Sequence, residues 1–397
     1  MFSSVLRQKV ALFALMFLPG FAWSSWITRT PLIRDTLNAS TEVFGLILFG
    51  FSCGSMVGIL WSGKLINKYG IRRVTLCGFM LLAVGFLLLA LALLLANQPT
   101  AFCALALFGM GLGMIDIALN IEGAAFEQHI NQVIMTTLHG FFSLGTLIGA
   151  LIGMGMTALG ISINLHFGII IGLIALTLAL QFAHMPWASS RISEQHSEHR
   201  SYKAQVIHEL KDTRLVLLGV VILAMALAEG SANDWLPLLM IDAHGFSHTS
   251  GSLFFVGFAA GMTAGRFAGS YIVNQFGRTT ILKLSAVSAA LGLGLIILTN
   301  TQWIAALAVI LWGIGASLGF PLTISAAGAT GENRSVRVTL AAILGYIAFL
   351  VGPPALGFIG EHAGLRIAML PVLCMVILAF FCTSAASEQK SPLNSTT

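Results

Sequence analysis

The stretch GFSCGSMVG at residues 50–58 returns as GFAAGMTAG at residues 257–265, which is 207 positions further along the chain. Each copy places three glycines four residues apart, and an Asn-x-x-Gly pattern follows each copy at the same distance. The matching positions are Gly50, Gly54, Gly58, Asn67 and Gly70, and then Gly257, Gly261, Gly265, Asn274 and Gly277. A repeat of this length predicts two fused copies of one module.

The composition indicates that both copies lie in a membrane. The chain is 57% hydrophobic and 9% charged, with a mean hydropathy of +0.91, whereas a typical soluble domain has about 25% charged residues. All five cysteines fall inside apolar runs. Their spacing predicts neither a zinc site nor a disulfide framework.

Apolar runs long enough to cross a bilayer, about 20 residues each, occur twelve times. They span residues 10–35, 41–66, 72–97, 100–125, 134–158, 161–185, 214–241, 249–273, 279–299, 302–327, 336–360 and 365–386. We therefore predict an all-α membrane protein with two pseudo-symmetric bundles of six helices. The first run is too long for a signal peptide, so we expect it to be retained as a helix.

The polar segments divide the chain. We predict an N-terminal bundle at 1–185, a cytoplasmic linker at 186–213 with a short surface helix near 202–212, a C-terminal bundle at 214–387, and a disordered tail at 388–397. The linker histidines His196, His199 and His208 have irregular spacing, which does not indicate a metal site. We expect no metal and no cofactor.

Basic residues set the orientation. If both termini are cytoplasmic, most of the 20 Lys and Arg residues lie in cytoplasmic segments. Only Arg34 and Arg366 then lie in outer segments, while Arg29 and Arg266 fall within spans. This bias obeys the positive-inside rule, so the basic net charge of +5 reflects topology rather than a nucleic-acid partner.

A short basic turn follows each glycine face. Its residues are Gly63, Asn67, Lys68, Gly70 and Arg72 in the first copy, and Asn274, Gly277 and Arg278 in the second. The first turn resembles the signature of the major facilitator superfamily, Gly-x-x-x-Asp-Arg/Lys-x-Gly-Arg-Arg/Lys, with Asn67 where the family usually has Asp. The resemblance implies that both turns gate the cytoplasmic side, although Asn67 removes the charge of a salt-bridge latch.

Other helices are similar to a bacterial inner-membrane branch of the superfamily. The fourth run reads Gly-Met-Gly-Leu-Gly-Met-Ile-Asp-Ile-Ala-Leu-Asn over 109–120, and the seventh contains Glu-Gly-Ser-Ala-Asn-Asp-Trp over 229–235. The fourth run is also distantly similar to that of the fucose–proton symporters. The resemblance implies a transporter in the bacterial inner membrane, with helices one, four, seven and ten around a central cavity.

Two acids lie at the predicted middle of the membrane, and each is followed one turn later by an asparagine. Asp116 precedes Asn120, and Glu229 precedes Asn233. Intramembrane acids are costly and usually mark a pathway or a partner. A carboxyl group that alternates between wet and dry surroundings can load and release a proton. Asp116 or Glu229 is therefore the predicted proton site, with a permanently neutral or paired structural carboxyl as the alternative.

Four more residues are predicted near the cavity. Trp26 and Trp235 either stack on a sugar or aromatic ligand or belong to the interfacial belt. Arg29 either binds an anionic substrate, pairs with Asp234 or reaches outward, and we favour the pair because an unpaired embedded arginine is costly.

Arg266 has no counterpart in the first copy, where Ile59 occupies its repeat position. We expect Arg266 to form a gate or an ion pair with a neighbouring carboxyl, for which Glu122 is one candidate.

These observations predict a proton-coupled transporter of a small polar solute, with a sugar-like molecule as one candidate, that works by alternating access as a monomer. A proton-driven exporter of drugs or metabolites and a transport-silent sensor are the alternatives. The chain has neither a Gly-rich phosphate loop followed by Lys nor a nucleophile elbow, so we do not expect an enzyme.

Overall fold

The computed structural model describes residues 2–132, 134–187, 202–329 and 334–387, and these residues contain helices and no strand. The helices are α1 (Phe2–Ile27), α2 (Thr30–Thr36), α3 (Thr41–Tyr69), α4 (Ile71–Leu94), α5 (Gln98–Ile130), α6 (Met135–Ala158), α7 (Ile163–Gln181), α8 (Tyr202–Leu210), α9 (Thr213–His244), α10 (His248–Phe276), α11 (Arg278–Leu298), α12 (Gln302–Gly328), α13 (Arg334–Ala363) and α14 (Leu365–Cys382). Short 3-10 turns cover Phe182–His184 and Thr383–Ala386.

Twelve of these helices are long, and they confirm the predicted fold. Eleven helices of the described residues are long and apolar enough to cross a membrane. The remaining long helix, α10, has 29 residues, but its glycine, serine and threonine residues lower its mean hydropathy. The first predicted run is broken in two because α1 ends at Ile27 and α2 starts at Thr30, with Pro31 in its first turn.

The repeated glycine faces pack within each half of the bundle. We call α1–α7 the N-terminal half and α9–α14 the C-terminal half. A Cβ atom added to Gly54 of α3 would lie 1.8 Å from the carbonyl oxygen of Ala106 in α5. One added to Gly261 of α10 would lie 2.6 Å from that of Ile310 in α12. Small residues thus allow backbone contact inside each half, which favours fixed packing over sliding at these faces.

The repeated turns need glycine for a different reason. Gly70 lies between α3 and α4 with a φ angle of +81°, and Gly277 lies between α10 and α11 with a φ angle of +78°. Residues with a side chain rarely adopt this conformation. Both turns lie at the same end of the bundle. Following the predicted orientation, we call it the inner end and the opposite end the outer end.

The linker helix α8 is fastened to the C-terminal half by one buried arginine. The Arg337 side chain is 1% exposed and lies 2.7 Å from Glu209 and 2.6 Å from Asp212. Partial burial alone would raise the pKa of Asp212, but hydrogen bonds from Arg337 and from the Arg214 amide lower it overall. The short predicted helix near 202–212 is confirmed, whereas residues 188–201 and the predicted disordered tail lie outside the described residues.

Candidate functional site

A narrow pocket lies between the two halves. Helices α1 and α6 of the N-terminal half and α9 and α10 of the C-terminal half line it. The lining residues used below are Trp23, Phe142, Ser143, Glu229, Asn233, Phe258 and Arg266. The pocket therefore combines aromatic walls with one acid, one base and one amide.

Arg266 connects the acid of one half to the other half. Its Nη2 donates to Glu229 Oε1 at 3.0 Å, and its Nη1 donates to Ser143 Oγ at 3.0 Å. Thr263, one turn before Arg266, donates to the backbone carbonyl of Ser143 at 3.2 Å. The predicted ion pair of Arg266 is confirmed, but its carboxyl partner is Glu229 rather than Glu122.

The ion pair is largely shielded from water. The side chain of Glu229 is 11% exposed and that of Arg266 is 26% exposed. Removing one partner of a buried ion pair leaves an uncompensated charge, so such pairs strongly constrain each other. Protonation of Glu229 would remove the counterion of Arg266. Because Arg266 also donates to Ser143 of the other half, this change would affect a contact between the halves.

Asn233 lies one helical turn after Glu229 and lines the same pocket. Asn233 is 4% exposed, and its amide nitrogen is buried without a hydrogen-bond partner among the described residues. A buried donor without an acceptor is costly. The asparagine therefore presents an unused hydrogen-bond donor to whatever occupies the pocket.

The first acid has a different surrounding. Asp116 Oδ1 accepts a hydrogen bond of 3.0 Å from Asn120 Nδ2 on the same helix. Across the halves, the Tyr346 hydroxyl of α13 lies close enough to interact electrostatically with Asp116. The predicted arrangement of an acid and an asparagine on one face of the helix is thus observed. Asp116 does not line the pocket that holds Glu229.

The halves also meet at the outer end. Arg34 of α2 forms an ion pair with Asp242 of α9, and its Nη2 donates to Asp242 Oδ1 at 2.9 Å. The amide of Thr41 donates to Glu361 Oε2 at 2.8 Å, so an acid of α13 caps the start of α3. We call these contacts the outer seam. They hold the two halves together on the outer side of the pocket.

Both predicted cavity tryptophans are packed inside the protein. Trp26 is 1% exposed and lies against Phe51 and Phe108 in the N-terminal half. Trp235 is fully buried beside Phe44 at the contact between α3 and α13. Neither lines the pocket, and neither is a membrane-belt residue, because helix rotation turns them into the protein.

The favoured pairing of Arg29 with Asp234 is wrong. Arg29 is 1% exposed, and its Nε donates to His166 Nδ1 at 3.2 Å while its Nη2 donates to the Ile161 carbonyl at 2.9 Å. These contacts fasten the turn between α1 and α2 to the start of α7 within the N-terminal half, so Arg29 points away from the pocket. Asp234 is half-buried and has no ion pair within the described part of the chain.

Of the predicted gating residues, Arg266 lies at the pocket, and the others lie at the inner end, on or beside the turns at Gly70 and Gly277. Most are exposed, and Gly63 has open space around it. Arg72 lies over the rings of Phe182 and Trp187, at 5.6 and 5.9 Å, within the N-terminal half. In the second copy, Asn274 lies in the last turn of α10 and Arg278 is the first residue of α11, with Gly277 between them. A gating role for these residues stays a prediction.

The sequence model of the Major Facilitator Superfamily matches residues 11–331. This chain belongs to the major facilitator superfamily. An uncharacterised MFS-type transporter of Yersinia pestis is 30% identical to it over 367 residues, which cover 91% of each protein. Members of this superfamily are transporters, and the relative is named as one. The chain is therefore a transporter of this superfamily. The narrower bacterial branch inferred from the sequence stays a prediction.

Solved structures share the fold of this superfamily member. The nucleoside transporter NupG superposes with a TM-score of 0.74 at 14% identity, covering 96% of this chain and 100% of its own. The fucose:proton symporter FucP of E. coli superposes with a TM-score of 0.64 at 17% identity, covering 97% and 100%. At these identities the likeness shows the fold alone.

Some site residues of this transporter were missed in the sequence. Trp23 lies one turn before Trp26 and is the tryptophan that lines the pocket. Ser143 joins the halves through Arg266, and Arg337 holds the linker helix. Arg337 carried a signal, since a charged residue in an apolar run usually needs a partner. The role of Ser143 depends on its partner in another helix and left no local signal.

Proposed function

We propose that this protein is a secondary transporter that moves a small polar solute together with protons by alternating access. The bridge from Glu229 through Arg266 to Ser143 carries the proposal. It links the charge of one carboxylate to a contact between the two halves, at the wall of the pocket. A proton on Glu229 therefore changes the free energy of the closed arrangement, which is what coupling requires.

The comparisons support the solute class. The two structurally similar transporters are named for a nucleoside and for fucose, both small polar solutes. The pocket combines aromatic walls with few polar groups, as ligand sites commonly do. Its cavity volume of about 10 Å³ is too small for a nucleoside or a sugar, so alternating access must widen it before such a ligand binds. We place the protein in a bacterial inner membrane with both termini cytoplasmic, because the basic residues favour that orientation. One chain holds both halves, which supports a functional monomer.

The test is solute-driven proton movement in proteoliposomes that contain a pH-sensitive dye. The solutes are the nucleoside uridine, the sugar fucose and the dicarboxylate adipate, which represent three kinds of small polar solute. We expect a gradient of one of them to acidify or alkalise the lumen in the presence of the protein, and empty liposomes to show no change. Protons and solute moving the same way indicate symport, and opposite movement indicates an exporter working by antiport. A solute that binds without being moved would contradict transport and favour a sensor.

A further inference from the structure

Arg266, the basic residue of the pocket, is held between two partners and also faces the pocket. Arg266 donates to Glu229 and to Ser143, and about a quarter of its side chain stays accessible, with an exposure of 26%. A guanidinium group has five N–H donors and can engage a second oxygen ligand. Arg266 is therefore positioned to contact a pocket ligand while Glu229 balances its charge.

Asn233 adds a second donor on the same wall. Its amide nitrogen is buried and unpartnered, and the residue lines the pocket one turn from Glu229. A carboxylate carries two acceptor oxygens on one carbon, so it has an acceptor to offer to each of these two pocket donors. The facing walls are aromatic, from Trp23, Phe142 and Phe258. They offer apolar contact to the rest of the ligand and no further charge.

We propose that the pocket binds a small carboxylate, which replaces Glu229 as the counterion of Arg266 when Glu229 takes up a proton. A neutral Glu229 leaves the guanidinium without a counterion in a shielded site, which is costly. A ligand carboxylate removes that cost and gains charge-assisted hydrogen bonds. The proton and the carboxylate therefore favour each other's binding. This inference rests on the proposed transport function and names its substrate class.

The exchange is balanced without any covalent step. A proton from water adds to a carboxylate oxygen of Glu229, and the ligand brings one negative charge to Arg266. When the pocket opens to the other side, the ligand leaves, Glu229 releases its proton to water, and the ion pair forms again. A monocarboxylate and one proton carry no net charge together, so their joint movement is electroneutral.

A neutral sugar would use the site differently. It would bind beside the Glu229–Arg266 pair without supplying a counterion, so binding alone would not take up a proton, and any proton coupling would come from the later conformational change. His139 of α6 is another titratable group whose electrostatic environment includes Arg266. The test must therefore separate a proton held by Glu229 from one held by His139, and a carboxylate ligand from a neutral ligand of the same shape.

The experiment is titration calorimetry of the detergent-solubilised full chain in buffers with different ionisation enthalpies, which counts the protons taken up per ligand bound. The probes are acetate, benzoate and adipate, each paired with its amide. We expect at least one carboxylate to bind more than about tenfold more tightly than its amide, with uptake of about one proton. Equal binding of acid and amide, or binding without proton uptake, would overturn the proposal.

Variants identify which residue takes up the proton and which residue binds the carboxylate. Glu229→Gln is expected to bind the carboxylate without proton uptake, whereas His139→Gln keeps it. The control Asp35→Asn, which changes a carboxyl group beside Arg34 at the outer end, is expected to keep it as well. The double variant Glu229→Gln, Arg266→Gln leaves no unpaired charge, so it keeps the fold testable, and we expect it to lose the preference for acid over amide. Retained proton uptake in Glu229→Gln, or retained preference in the double variant, would contradict the assignment.

The two experiments together separate failure of the carboxylate proposal from failure of the proposed transport function. If uridine or fucose moves protons in proteoliposomes while no carboxylate binds, proton-coupled transport stands and the carboxylate assignment falls. If no solute moves protons, the transport proposal itself fails.

Discussion

The two halves contain the same local pattern, an acid followed one turn later by an asparagine, but the acids have different partners. Asp116 accepts a hydrogen bond from its own asparagine, Asn120. Glu229 instead pairs with Arg266 of a neighbouring helix, and the amide nitrogen of Asn233 has no partner among the residues that the structure describes. A repeated sequence pattern thus gives an acid bonded to its own asparagine in one half and an acid paired with an arginine in the other.

The difference arises where the repeat is broken. Arg266 occupies a position that holds Ile59 in the first copy, and its guanidinium displaces the asparagine as the partner of the acid. The C-terminal acid is then connected to the N-terminal half through Ser143, while the contact of Asp116 with Asn120 stays within one helix. We therefore propose that Glu229, rather than Asp116, carries the coupled proton.

The largest effect is expected from Arg266→Gln. It leaves Glu229 shielded and without a counterion, which should cost about 3–5 kcal/mol of unfolding free energy near neutral pH. The double variant Glu229→Gln, Arg266→Gln should recover most of that loss. Thermal unfolding in detergent measures both. If single and double variants are equally unstable, the ion pair is not what holds this site.

Replacing the two asparagines by leucine should give opposite results. Asn120→Leu removes the donor to Asp116 and should lower the free energy of unfolding by about 1–2 kcal/mol. Asn233→Leu removes a buried donor without a partner and should leave stability unchanged or raise it by up to about 1 kcal/mol. Unfolding midpoints of the matched pair provide the measurement. Equal losses would show that the two sites are equivalent.

Arg34→Gln at the outer seam should have a smaller effect than Arg266→Gln. The carboxyl group that Arg34→Gln leaves without its partner, Asp242, is 30% exposed, whereas Glu229 is 11% exposed. Water can therefore solvate Asp242, and the loss should be less than about 1 kcal/mol. Added salt should reduce even this effect. Unfolding at low and high ionic strength measures it, and a loss as large as that of Arg266→Gln would contradict the distinction.

The smallest effect concerns pH at the linker helix. The contacts with Arg337 lower the pKa of Asp212, so its stabilisation is full above its unfolded pKa of about 3.9 and is lost as the pH falls through the lower folded value. Hydrogen exchange of α8 should therefore rise only below about pH 4. Asp212→Asn should remove this acid step. An α8 that loosens equally in both proteins would exclude Asp212 as the cause.

Hydropathy and spacing were sufficient for the fold of this chain. The apolar runs predicted the long helices because a lipid environment requires about 20 apolar residues per span. The first run was predicted unbroken, although Pro31 favours the start of a new helix. The glycine turns were also predictable, since Gly70 and Gly277 need positive φ angles.

The site was only partly predictable, because partners on different helices depend on helix rotation and packing. Asp116 with Asn120 follows from spacing on one helix. The sequence showed that Arg266 needed a carboxyl group but could not choose Glu229 over Glu122. For the same reason the sequence predicted Trp26 at the pocket, whereas the structure places Trp23 there.

The assignment of the coupled proton is tested most directly by solute accumulation in proteoliposomes under an inward proton gradient. The solute is uridine, fucose or adipate, whichever the unmodified protein moves. We predict that Glu229→Gln still exchanges solute across the membrane but no longer accumulates it, while Asp116→Asn continues to accumulate it. Proton-driven accumulation by Glu229→Gln, or its loss only in Asp116→Asn, would contradict the account.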